Sequence, residues 1–310
     1  HADNPKALEE LITNETKGNH FLGNAFLKYE ILDGFEYELN ASFDLDVAHL
    51  KQYEEQGQIS PINTLSSGLT EDESEHYKYF IEHRLQYNKS IGNHTFSVMG
   101  SYVGQQEKNR VHITTVNGGY TFEGKNYWVL DASTANPKNY SHVGNESTYA
   151  IESYLGRMTY NYKDKYLLNF MIRHDGSSRF NKDLRWGTFP SISGGWIVSN
   201  EKFFSPFPYF DFFKLRAGYG IVGNATEANY VYQSGLILTA NYGVNYNLGP
   251  DDAFVLGATK GKPANPNLKW EQLEEFNIGT DIQLFDSRLE LVFDYFNGKT
   301  TDLIYQRRIP

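Results

Sequence analysis

Phe35-Glu36-Tyr37-Glu38-Leu39-Asn40-Ala41-Ser42-Phe43-Asp44-Leu45-Asp46-Val47 alternates apolar and polar residues over 13 positions without an error. A period of two puts every odd side chain on one face of a β-strand and every even one on the other. At about 3.3 Å per residue the stretch reaches roughly 40 Å. Strands of soluble sheets usually stop near about 5 or 6 residues, whereas a tilted strand needs about 9–11 to cross a bilayer. This one is long enough to cross and protrude.

The pattern recurs along the chain. From Tyr77 to Tyr87 the odd positions are Tyr77, Tyr79, Ile81, His83, Leu85 and Tyr87, with Phe80 the exception on the opposite face. Further matches lie at 96–104, 154–162, 166–172, 213–221, 276–284 and 289–295. With 23–31 and 187–198 included, the reading is ten strands. Asp33-Gly34, Gly92-Asn93, Lys163-Asp164 and Asp286-Ser287 are tight reversals of the kind that join antiparallel hairpins, and 200–211 is a slightly longer one. Between them lie long polar excursions at 48–75, 106–146, 175–186 and 223–269. Connections that alternate short and long fit a transmembrane β-barrel, with turns at its periplasmic end and loops at its outer end. A soluble antiparallel sandwich or propeller explains the alternation equally well, yet it needs neither strands this long nor a long loop at every second connection.

Composition narrows the function classes. The chain has 310 residues, 15% of them aromatic, which favours sheet over helix. Its net charge of −10 makes nucleic acid an unlikely partner, because nonspecific affinity for phosphate backbones comes mostly from Lys and Arg. With no Cys there is no disulfide, thiolate nucleophile or zinc-thiolate site. No run of about 18 apolar residues marks a transmembrane helix. The chain starts at His1 and carries no secretory signal, so a mature or partial chain is expected. If the short turns are periplasmic, both chain ends lie outside. That arrangement suggests an arc of a larger barrel.

The second half carries a resemblance. Arg173-His174-Asp175-Gly176-Ser177-Ser178-Arg179-Phe180 is followed by Arg185-Trp186-Gly187-Thr188-Phe189-Pro190-Ser191-Ile192-Ser193-Gly194-Gly195-Trp196. Then come Lys214-Leu215-Arg216-Ala217-Gly218-Tyr219-Gly220, Asn265-Pro266-Asn267-Leu268-Lys269-Trp270-Glu271 and Asp294-Tyr295-Phe296. In this order the set closely resembles the SusC/RagA branch of TonB-dependent outer-membrane transporters. Residues 1–150 match more loosely, through Asn4-Pro5 and the strand pattern, and Ser199-Asn200-Glu201 departs mildly from the family's spacing.

The resemblance implies an all-β fold, an antiparallel transmembrane β-barrel of which about ten strands of 22 are present. Residues 1–310 would be part of one barrel domain, with the N-terminal plug and the remaining strands outside this chain. It implies import of oligosaccharides or peptides across the outer membrane of a Gram-negative bacterium. The implied partners are TonB, reached through parts absent here, a SusD-like surface lipoprotein and outer-membrane lipids. A soluble glycan-binding module and a passive porin are the alternative readings.

Candidate contact residues for substrate or partner are Tyr127 and Trp128 in one long loop and Tyr230, Tyr232, Tyr242 and Trp270 around another, since aromatic rings stack on sugars or bury a partner's apolar surface. Their alternative is loops packing on one another. Arg173, Asp175 and Arg179 read as a charged motif that anchors a loop or touches ligand, with Gly176 and two Ser allowing a close turn. No catalytic, cofactor or metal-binding residue is expected. Gly119 to Lys125 spells GxxxxGK, but Asn126 follows where Ser or Thr is needed. Glu71-Asp72-Glu73-Ser74-Glu75 lacks the ligand order of a calcium loop, and the His residues show no metal-ligand spacing.

Overall fold

Ten strands pair in chain order into one sheet: β1 Ile12–Leu32, β2 Phe35–Glu54, β3 Gly68–Ile91, β4 His94–Asn117, β5 Tyr140–Tyr162, β6 Tyr166–Ser177, β7 Trp186–Ile197, β8 Phe210–Asn224, β9 Glu271–Leu284 and β10 Leu289–Thr301. The computed structural model describes residues 3–121, 127–204, 209–225, 231–237, 245–247, 254–256, 258–261 and 263–305. The ladders from β5 to β10 are antiparallel and almost free of register shifts. Every strand expected from the alternation is present. A short helix, α1 Pro5–Leu11, precedes them, its first turn capped by Asn4, whose Oδ1 accepts from Lys6 N at 3.0 Å.

The first five strands run much further than the alternation indicates. β2 continues seven residues past Val47, and β4 continues from Gly104 to Asn117. The expected excursions at 48–75 and 106–146 therefore shrink to 55–67 and 118–139. On these extensions single apolar residues, Tyr53, Leu69 and Val116, are buried amid polar neighbours, so the period of two fades while the backbone ladder continues. The other two long connections lie where expected, at 178–185 and 225–270.

The tight turns follow from left-handed backbone. Lys163 and Asp164 both have positive φ, 56° and 52°, as a two-residue hairpin turn requires. The last hairpin is wider than the expected Asp286-Ser287 reversal. Phe285, Asp286 and Ser287 all sit at positive φ, and Asp211 Oδ2 accepts from Ser287 N at 2.9 Å.

On β6 the apolar side chains Tyr166, Leu168, Phe170 and Ile172 are 38–47% exposed, while Leu167, Asn169 and Met171 between them are half-buried. The greasy face is thus the open one, the reverse of a soluble sandwich. The chain divides into two compact units: His1–Ala25, Ala41–Phe80 and Gln105–Thr148 form one, and Phe26–Asn40, Ile81–Gly104 and Tyr149–Pro310 the other. Each has one small buried aromatic cluster.

Candidate functional site

The cluster of the first unit gathers the loop ends of β2, β3 and β4. Tyr53, Leu69 and Val116 bury one another, and the loop 118–139 lays Tyr120 and Trp128 over them. The Trp128 indole stacks on Tyr53 at 4.5 Å and 22°, and Tyr120 meets the same ring edge-on. Lys51 fastens the loop: its Nζ donates to the Trp128 carbonyl at 2.8 Å and pairs with Glu71 at 2.8 Å. Burial pushes the Tyr120 phenol up to about 12, with Tyr140 and Glu71 adding to the shift.

The cluster of the second unit holds Phe180, Phe189, Leu268 and Trp270. Trp270 lies 5.3 Å from both Phe rings and donates Nε1–H to the Arg185 carbonyl at 2.8 Å. Charged groups tie the loop around it. Arg173 Nε donates to both Asp175 oxygens at 2.8 and 2.7 Å, and its Nη2 reaches Ser153 Oγ at 3.3 Å. Arg179 covers the Tyr149 ring at 4.1 Å and donates to the Ala225 carbonyl. Asp175 is buried although it is ionisable, which Arg173 makes tolerable.

Gly176 serves a different purpose from the one expected. Its φ is not left-handed and it lies within β6, but a Cβ there would meet the Trp186 ring at 2.9 Å. The glycine makes room for an indole and does not form the turn.

The structure thus brings Arg173, Asp175, Arg179 and Trp270 around one loop base and puts Trp128 in the other cluster. Both indoles are buried, at 6% and 5% exposure, with their faces taken up by protein rings. Tyr127 is exposed and Tyr232 half-buried. Tyr230 and Tyr242 lie outside the described residues. The periodicity reading missed Tyr53 and Leu69, because they fall in stretches where alternation has faded.

Two rows of aromatic rings bracket the exposed apolar face in the second unit. At the turn end, Tyr162, Tyr166, Trp196 and Phe203 follow one another at 6.3–6.4 Å. Further along the same strands, Tyr102 and Tyr154 lie 5.3 Å apart, and Trp186 stacks on His174 at 4.8 Å. From Tyr166 to His174 is eight steps of β6, roughly 26 Å at about 3.3 Å each. At the turn itself, Glu201 accepts from Lys165 Nζ at 2.7 Å and Tyr166 Oη at 2.8 Å, which holds its carboxyl below the usual range.

The opposite face of the second unit is polar and cross-linked. Arg216 donates to Asp281 at 3.1 Å and to both oxygens of Asp294 at 2.6 and 2.8 Å, zipping β8, β9 and β10 together. Gly279 stands between Arg216 and Asp294 in the register. A Cβ there would lie 2.6 Å from the Asp294 carboxylate and 2.8 Å from the guanidinium carbon. A cavity of about 590 Å³ opens near this face, lined among others by Asn88, Ser97, Asn169, Lys214, Arg216 and Asn277.

Long antiparallel strands with an open apolar face, aromatic rows at two levels and a polar reverse side define the wall of a transmembrane β-barrel. A family model described as TonB dependent receptor-like, beta-barrel, matches residues 11–310, and the chain belongs to that family. TonB-dependent receptor P3 of Formosa agariphila is 32% identical over 99% of this chain. TonB-dependent receptor SusC of Bacteroides thetaiotaomicron is also 32% identical over 99% of this chain. The chain spans 30% of the length of the first relative and 29% of the second. Among solved structures, the RagAB peptide transporter superposes with a TM-score of 0.85 at 20% identity, covering 98% of this chain and 32% of that one, a likeness of fold.

Proposed function

We propose that this chain is part of the outer-membrane barrel of a TonB-dependent importer of the SusC/RagA kind. Residues 1–310 then belong to one barrel domain, whose plug and other strands lie elsewhere in the parent protein. The observation that carries the reading is the exposed apolar face between two aromatic rows. Allowing for a strand tilt of about 35–45°, their spacing along β6 gives a band roughly 20 Å tall, near the apolar band of about 25 Å on such barrels. Lipid tails cover that face, and the polar side with Arg216, Asp281 and Asp294 faces water.

Cargo is an oligosaccharide or a peptide, held under a SusD-like surface lipoprotein and drawn inward through TonB. The likeness to the RagAB peptide transporter supports the peptide class, and the oligosaccharide class rests on the SusC/RagA resemblance of the sequence. Arg173, Asp175 and Arg179 anchor the loop over Trp270. Tyr127 and Tyr232 are the contact residues with a ring still accessible, and Trp128 and Trp270 shape the loops beneath them.

The test is uptake by cells carrying the full-length receptor, with fluorescent oligosaccharide and fluorescent peptide pools supplied separately. Accumulation of one pool that a proton uncoupler abolishes is the expected result. Uptake that survives the uncoupler would make the protein a passive porin, and a purified protein that stays monodisperse without detergent would remove it from the membrane altogether.

A further inference from the structure

β2 carries two pairs of carboxylates at i, i+2 spacing on its polar face, and the fold compensates them differently. Glu36 and Glu38 share Lys28, at 2.9 and 3.5 Å, and Glu38 also pairs with Arg84. Asp281 and Asp294, on β9 and β10, likewise share Arg216. Asp44 and Asp46 have no Lys or Arg partner among the described residues. Their neighbour is His20 of β1, whose Nε2 lies 2.7 Å from Asp44 Oδ1. One ligand atom from each of the three side chains falls within 4.8 Å of the other two.

We infer that His20, Asp44 and Asp46 form a binding site for a divalent cation of the zinc, cobalt or nickel type. Among the described residues the two carboxylates lack the Lys or Arg that the sheet sets against Glu36 and Glu38 and against Asp281 and Asp294. One nitrogen and two oxygens suit metals that accept mixed ligands, whereas calcium and magnesium take oxygen alone. Bonds of about 2.0–2.2 Å to a tetrahedral metal place neighbouring ligand atoms about 3.3–3.6 Å apart. His20 and Asp44, now hydrogen-bonded at 2.7 Å, would therefore part by under about 1 Å while the third atom closes in from within 4.8 Å. The strand alternation fixes both Asp side chains on one face. His20 and Asp46 are exposed, so solvent or cargo groups have access to the remaining coordination positions.

The inference does not depend on what the parent protein imports. It is tested by titrating the full-length receptor in detergent with Zn²⁺ calorimetrically, and with Co²⁺ by absorption, after a gel-mobility change on heating has established that the barrel is folded. The wild type is expected to bind one Zn²⁺ more per chain than His20→Ala and Asp46→Asn, or to bind it at least tenfold more tightly. The Co²⁺ spectrum should change with His20→Ala. Asp46→Asn keeps the shape of the side chain, so it decides the matter if His20→Ala does not fold. Equal stoichiometry and affinity in wild type and Asp46→Asn, or no saturable binding by the folded wild type, overturns the site.

Discussion

The two buried clusters solve one problem, fixing a long loop to the strands beneath it, by different means. In the first unit the hold is ring on ring, Trp128 flat against Tyr53, with Lys51 as a single polar clamp. In the second unit the ring at the centre, Trp270, is ringed by directed bonds: its own to Arg185, Arg173 with Asp175, and Arg179 with the Ala225 carbonyl. Stacking tolerates small shifts, whereas charge-assisted bonds demand fixed geometry. The second cluster should therefore be the stiffer of the two, and the more damaged by losing one member.

Trp270→Ala should break that contrast most strongly. It empties the space between Phe180 and Phe189 and leaves the Arg185 carbonyl without its donor, a loss near 5 kcal/mol at the upper end for large core truncations. Trp128→Ala removes a ring from an edge already backed by the sheet, so about 3 kcal/mol is expected. Denaturant unfolding of both variants, with limited proteolysis of 118–139 and 178–185, checks the order; the reverse order would mean that stacking is the stronger hold.

Asp175→Asn comes next. It keeps the shape but removes the charge that Arg173 grips, and because Arg173 is partly in solvent the cost should be about 1 kcal/mol. Faster cleavage of 178–185 with 118–139 unaffected is the expected proteolysis pattern, while a change in 118–139 alone would contradict it.

The smallest effect sharpens the comparison by pH. The Tyr120 phenol ionises near 10 when unfolded and at about 12 when buried, so its contribution is intact below pH about 10 and is lost as pH rises toward about 12. Trp128 emission should report a loosening of the first cluster over that window, and Tyr120→Phe should abolish it. A transition identical in the Phe variant would assign the alkaline change to another group.

Much of this was legible beforehand, for identifiable reasons. From Phe35 to Val47 apolar and polar residues alternate without a break, so each residue reports its face. Beyond Val47, Ala48, His49, Leu50, Lys51 and Gln52 break the order, so the rest of β2 to Glu54 left no periodic trace although Tyr53 is buried there. Asp175, Arg179 and Trp270 stood out through the family-like stretches around them. Tyr53 did not, because a lone Tyr in a polar segment looks like any other surface residue.

What the amino-acid order determined alone is the sheet: ten strands, their faces and their tight turns, since alternation and turn residues act over a few neighbouring positions. What tertiary structure decided is which distant groups meet. Lys51 and Trp128 are 77 positions apart and His20 and Asp44 are 24; strand pairing brings the second pair within 3 Å, and the loop 118–139 folding over β2 brings the first. A pattern local in sequence fixes direction, but proximity across strands depends on the hydrogen-bonded ladder, which exists only after folding.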